Sequence, residues 1–130
     1  MIKILMFLSV FTLFFTLTGC NSNKYEEQAG TYELYYASGS ISLSNYDYWR
    51  IILKEDGTCV IESKGAYNSQ IYSATATFEI AEEKIRIYTK NGTATITEEY
   101  DYIDGEIHMI NQQIQGYTIT AKFRRNTEEK

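Results

Sequence analysis

Residues 84–109 read KIRIYTKNGTATITEEYDYIDGEIHM, and two short words inside them decide the fold. Asn91-Gly92 and Asp104-Gly105 are dipeptides favoured in tight hairpin turns, where the central positions take positive φ. Around them apolar and polar side chains alternate, with Ile85 and Ile87 on one face and Lys84, Arg86 and Tyr88 on the other. Successive side chains leave a strand on opposite faces, so a period of two is the signature of a strand. The stretch therefore predicts three consecutive antiparallel strands joined by two tight turns.

The same rhythm runs outward in both directions. Asp56-Gly57 is a third strong turn signal, and Gln115-Gly116 and Ala81-Glu82-Glu83 are weaker ones. Together they predict eight strands, over 30–37, 48–55, 58–64, 71–80, 84–90, 93–103, 106–112 and 116–125. The alternation also assigns faces. Tyr32, Leu34 and Tyr36 share the inner face of the first strand, Trp49, Ile51 and Leu53 that of the second, and Tyr117, Ile119, Ala121 and Phe123 that of the last. Ile107 and Met109 point inward on the seventh. No segment of this region carries a helical period. Consecutive hairpins of similar length predict an all-β protein, a single antiparallel up-and-down eight-stranded barrel, whose closure removes exposed strand edges. Such a barrel is just wide enough to be filled by side chains or to hold one small ligand. Most inward positions are bulky, so a largely filled interior is expected. Ala74, Ala76, Ala94, Ala121 and Cys59 are the small members, and a pocket forms if they gather at one end.

The N-terminus says something different. Lys3 is followed by an apolar run, Ile4 to Leu17, broken only by Ser9, Thr12 and Thr16, and then by Thr18, Gly19 and Cys20. A basic start, a short apolar middle and small residues before a cleavage point describe a secretory signal. At about fourteen residues the run is shorter than the roughly 20 of a spanning helix. Leu17-Thr18-Gly19-Cys20 resembles the lipobox of bacterial lipoproteins. That resemblance implies a lipid on the Cys20 sulfur and cleavage before it, with the domain held extracytoplasmically on the cell membrane or an outer membrane. The implied organisation is signal peptide 1–19, lipidated cysteine and polar tether 20–28, barrel domain 29–126 and charged tail 127–130. Cys59 then has no disulfide partner, since the chain has two cysteines. Beside Val60 and Ile61, a buried inert thiol is a better reading of Cys59 than a reactive one.

The domain itself resembles the lipocalin-like domains of small bacterial lipoproteins. Gly30-Thr31-Tyr32 stands where lipocalins carry Gly-x-Trp, with tyrosine in place of tryptophan. Arg124 or Arg125 ends the last strand, where those proteins set an arginine over the aromatic ring. Ile51 to Thr58 (Ile-x-Leu-x-x-Asp-Gly-Thr) and Asp104 to Ile107 (Asp-Gly-Glu-Ile) are further shared phrases. The chain departs from full-length lipocalins in having no room for their C-terminal helix. The resemblance implies a binding barrel in which the first long connection covers the mouth.

Composition narrows the chemistry. The formal net charge is −5, and one unit more negative once Lys3 leaves with the signal, which makes nucleic acid a poor partner because phosphates demand basic patches. His108 is the single histidine, so no site of several imidazoles can form, and its position between Ile107 and Met109 turns it outward. Cys59 faces inward, which separates it from His108 as a nucleophile pair. The phosphate-cradling glycine loop and the Gly-x-Ser-x-Gly elbow are absent from the sequence. Glu98, Glu99, Asp101, Asp104 and Glu106 surround one hairpin without calcium-loop spacing and read as a solvated face. The expectation is a protein without catalysis, cofactor or metal.

Two functions remain open at this level. In the first, the barrel mouth binds a small apolar or amphipathic ligand through Ile41, Leu43, Tyr46, Trp49, Tyr100 and Tyr102. Ser38 to Asp47, the longest irregular connection, supplies Ile41 and Leu43 either as a lid over that ligand or as a plug. In the second, a filled barrel acts as a protein-interaction module, such as an envelope assembly factor, inhibitor or adhesin. The outward or loop tyrosines Tyr35, Tyr46, Tyr48, Tyr67, Tyr72 and Tyr88 and the acidic face would then do the recognising.

Overall fold

A computed structural model describes residues 24–67 and 70–126; the signal segment, Cys20 and the 127–130 tail lie outside the described residues. The strands are β1 (Gly30–Gly39), β2 (Tyr46–Leu53), β3 (Thr58–Gly65), β4 (Ile71–Ala81), β5 (Lys84–Asn91), β6 (Ala94–Ile103), β7 (Glu106–Ile114) and β8 (Tyr117–Arg125). Each pairs antiparallel with the next, and β8 returns to β1 to close the barrel. This is the up-and-down eight-stranded barrel that the sequence predicts. Among the described residues no helix is long and apolar enough to cross a membrane.

Turn chemistry sets the hairpins. Asp104-Gly105 (φ 56° and 75°) and Gln115-Gly116 (φ 51° and 86°) take positive φ at both central residues, the twist that suits a two-residue hairpin. Glu82 and Glu83 do the same at φ 56° and 64°, a conformation costly for glutamate. At the β2–β3 turn the Asp56 carboxylate accepts from the Thr58 amide at 3.0 Å and the Thr58 hydroxyl at 2.7 Å.

Three register shifts interrupt the ladders, at Leu34/Tyr36, Tyr46/Tyr48 and Met109/Gln112; the first and last are bulges that correct expected faces. Leu34 lies opposite Phe123, but the register shifts before Tyr36, which lies opposite Lys122. One extra residue reverses the alternation, so Tyr36 stands outside, 44% exposed, with the Lys122 ammonium 5.0 Å from its ring. In β7 the register shifts between Met109 and Gln112 around Asn111, whose φ is 51°. Simple alternation from Ile107 and Met109 would turn Ile114 outward. The bulge instead brings it to the inner side, opposite Tyr117.

The two ends of the barrel differ. At the base, which holds the β2–β3, β4–β5 and β6–β7 turns, all eight ladders are paired. Toward the other end, three of them stop early. The β1–β2 ladder ends at Glu33–Arg50, β4–β5 at Thr77–Tyr88 and β6–β7 at Asp101–His108. The upper wall thus separates into three groups, β7–β8–β1, β2–β3–β4 and the β5–β6 hairpin. The fully buried side chains Tyr32, Ile51, Leu53, Cys59, Ile85, Ile87, Ile107 and Phe123 fill the closed half. Apart from the smaller Cys59, each such large apolar side chain contributes about 1.5–3 kcal/mol by leaving water.

Residues 24–28, assigned to the tether from sequence, close that base. Tyr25 is buried, its amide donates to the Glu55 carbonyl at 3.0 Å, and its ring lies 4.7 Å from that of Phe78. The Tyr32 hydroxyl donates to the Gln28 carbonyl at 2.6 Å, which leaves Tyr102 to donate to Tyr32 at 2.8 Å. Arg125 crosses the Tyr32 ring at 5.5 Å and donates to the carbonyls of Glu27 and Ala29. Of the two arginines expected over that ring, Arg125 takes the place, and Arg124 packs outside on Tyr35 at 4.5 Å. Gly30 makes room for this: a Cβ there would come within 2.7 Å of the Arg125 Cδ.

Candidate functional site: the open end of the barrel

A cavity of about 320 Å³ occupies the open end, lined by Ser40, Ile41, Tyr46, Trp49, Ile114, Gln115, Tyr117 and Ile119. The connection after β1 supplies its roof, β2 one wall, and the β7–β8 hairpin the other. It opens to solvent and its lining is mostly hydrocarbon and aromatic ring. No lining residue carries a charge. Its volume falls at the lower end of the range for small-molecule sites, about 300–1,000 Å³.

Several local causes shape it. Ile119 follows the inward alternation of β8 and is buried, whereas Tyr117, two residues nearer the rim, is 63% exposed. Ile114 reaches the site through the β7 bulge. Trp49 rests its ring edge-on against Phe123 at 5.1 Å, and the Tyr46 ring lies tilted 5.3 Å from that of Trp49. Such aromatic pairs are worth about 0.5–1.5 kcal/mol beyond their buried area. Burial raises the Tyr46 hydroxyl pKa above its ordinary value, so that hydroxyl stays uncharged through neutral pH. The connection itself is ordered by a short 3-10 turn, Leu43–Asn45. The Asn45 side-chain oxygen accepts from the Ser42 amide at 2.7 Å there.

Of the residues singled out from sequence, Ile41, Tyr46 and Trp49 meet in this cavity. Leu43 does not line it; with Glu33, Leu34, Tyr46, Asp47, Tyr48 and Trp49 it borders a smaller hollow of about 90 Å³ in the separated β1–β2 seam. Tyr100 and Tyr102 also lie elsewhere. Tyr100 is buried in the core, and Tyr102 is hydrogen-bonded to Tyr32 at the base. Alternation reports a residue's face and not its depth along the barrel. The missing lining residues divide by signal: Tyr117 and Ile119 were legible as inward, and Ile114 was hidden by the bulge. The small residues do not gather at the mouth, since Cys59, Ala76 and Ala121 are buried in the core. The cavity comes from the parted strands instead.

Chemistry-bearing groups stand apart from it. His108 is on the outer wall, its Nε2 2.9 Å from a Glu106 oxygen that also accepts from the Tyr35 hydroxyl at 2.5 Å. Those two bonds hold the Glu106 carboxyl below its usual range. Cys59 is buried on the inner side, and desolvation pushes its thiol up to about 11, so it is protonated and inert at neutral pH. Asp101 and Glu99 are taken up by Lys84 at 2.6 Å and Arg86 at 2.8 Å on the neighbouring strand. Among the described residues no group of three or more histidine, cysteine or carboxylate side chains could hold a metal ion.

Scanning the sequence against protein-family models and searching it against curated proteins returned no match.

Proposed function

We propose that this chain is a lipid-anchored extracytoplasmic lipoprotein whose barrel binds a small, uncharged, apolar or amphipathic ligand at its open end, without catalysis. The observation that carries the reading is the cavity beside Trp49, with its aromatic wall, apolar lining and lack of charge. An ionised ligand would lose hydration there and find no opposite charge in exchange. An apolar ligand gains by leaving water, and the Ser40 and Gln115 positions at the rim suit one polar end. The anchor rests on the sequence, where Leu17-Thr18-Gly19-Cys20 ends a signal-like segment.

A second reading is favoured by one specific feature. Tyr67 (82% exposed), Ile71 (65%) and Tyr72 (57%) stand out on the same end of the barrel. Apolar and aromatic side chains beside rim connections that carry no charge are also what a protein partner would cover. Native mass spectrometry of the full lipidated chain, extracted from its host's membranes, separates the two. A bound neutral small molecule, lost in Ile114→Lys, supports the ligand reading. A stoichiometric protein partner with no small molecule replaces it with the interaction module. Cys20→Ala tests the anchor: the variant should leave the membrane fraction, and unchanged fractionation would refute lipidation.

A further inference from the structure

We infer that the barrel stands with its closed base against the anchoring bilayer and its cavity facing away. The binding site then exchanges ligand with the aqueous side and not with the membrane that holds the protein. The inference rests on the lipid anchor proposed above; what it adds comes from where the described chain begins. Lys24 and Tyr25 are fixed at the base. Tyr25 is buried there against Phe78, its amide is bonded to Glu55, and Arg125 clasps the following carbonyls. Four peptide steps separate Cys20 from Lys24, a reach of no more than roughly 14 Å. The wall is taller than that: β8 runs nine residues from Tyr117 to Arg125, which at the usual rise and tilt spans roughly 20 Å along the barrel axis. A lipid on Cys20 cannot stand the barrel rim-down on the same bilayer, because its tether is too short to climb the wall.

Charge sorts the ends in the same sense. The base segments carry Glu26, Glu27, Glu55, Asp56, Glu82, Glu83 and Asp104 against Lys24 and Lys54. Such a surface does not adhere to anionic headgroups, so the lipid alone holds it there. The connections at the other end, 40–45, 66–70, 92–93 and 115–116, contain no charged residue. Without the short tether, that apolar, tyrosine-bearing end would be the one to settle at a membrane interface. The tether overrides this preference.

Short-range quenching in proteoliposomes tests the orientation. The full lipidated chain is reconstituted in phosphatidylethanolamine–phosphatidylglycerol vesicles containing a headgroup-nitroxide lipid. A fluorophore is attached through Lys54→Cys at the base or Asn91→Cys at the rim, both exposed positions. Cys59 is buried and stays unlabelled. Quenching should be at least twofold greater at position 54 than at position 91. Equal quenching, or greater quenching at 91, in protein that floats with the vesicles would overturn the orientation while leaving the anchor intact. Protein that fails to float with the vesicles overturns the anchor, and the orientation falls with it.

Discussion

The base and the mouth of this barrel are built from the same strands and behave as different materials. At the base every ladder is paired, Tyr25 and Phe78 seal the floor, and Tyr32, Leu53, Ile107 and Phe123 are fully out of water. At the mouth three of the eight seams part, and Ile71, Tyr72, Ile96, Ile114 and Tyr117 stay substantially exposed. Stability is concentrated at one end, which leaves the other free to keep apolar surface unfilled. A barrel packed evenly from end to end would have no cavity.

Substitutions at the two ends should therefore differ in size. The largest loss is expected for Phe123→Ala, which leaves a void in the closed half and removes the ring against which Trp49 packs. Urea unfolding should show about 3–5 kcal/mol of destabilisation, and a loss under about 1 kcal/mol would mean that the base is not the structural core. A smaller effect of opposite sign is expected at the base turn. Glu82→Asn with Glu83→Gly puts residues suited to positive φ where two glutamates now sit, and should add about 0.5–1 kcal/mol. A destabilised double variant would show that these glutamates make contacts outweighing their backbone strain. The smallest effect is expected at the rim, where Tyr117→Ala should change stability by no more than about 0.5 kcal/mol while weakening ligand binding. A large stability loss there would erase the division between the ends.

Local signals made much of this legible from sequence. Alternation and the Asp-Gly, Asn-Gly and Gln-Gly words give eight strands and their order, since each depends on a few adjacent residues. The clasp of an arginine over Tyr32 was also legible, as part of a resemblance. What escaped depends on counting across the whole barrel. The bulge after Leu34 turned Tyr36 outward, and the bulge at Asn111 turned Ile114 inward; either changes a face without changing composition. Depth escaped too, which is why Tyr100 and Tyr102 were grouped with the mouth. Tyr25 looked like part of a polar tether because its neighbours Lys24, Glu26 and Glu27 are charged. Its burial depends on Phe78 and Glu55, residues far along the chain.

Trp49 is the single tryptophan of the chain and forms a wall of the cavity, so its emission reads the proposed site without a label. The most direct measurement is quenching of Trp49 by a neutral alkyl alcohol bearing bromine at the chain end, which acts only near contact. The protein as described should show saturable quenching that Ile114→Lys, a charge set into the cavity wall, weakens at least tenfold in apparent affinity. Quenching that never saturates, or that is identical in the two proteins, would contradict a ligand site at the open end of the barrel.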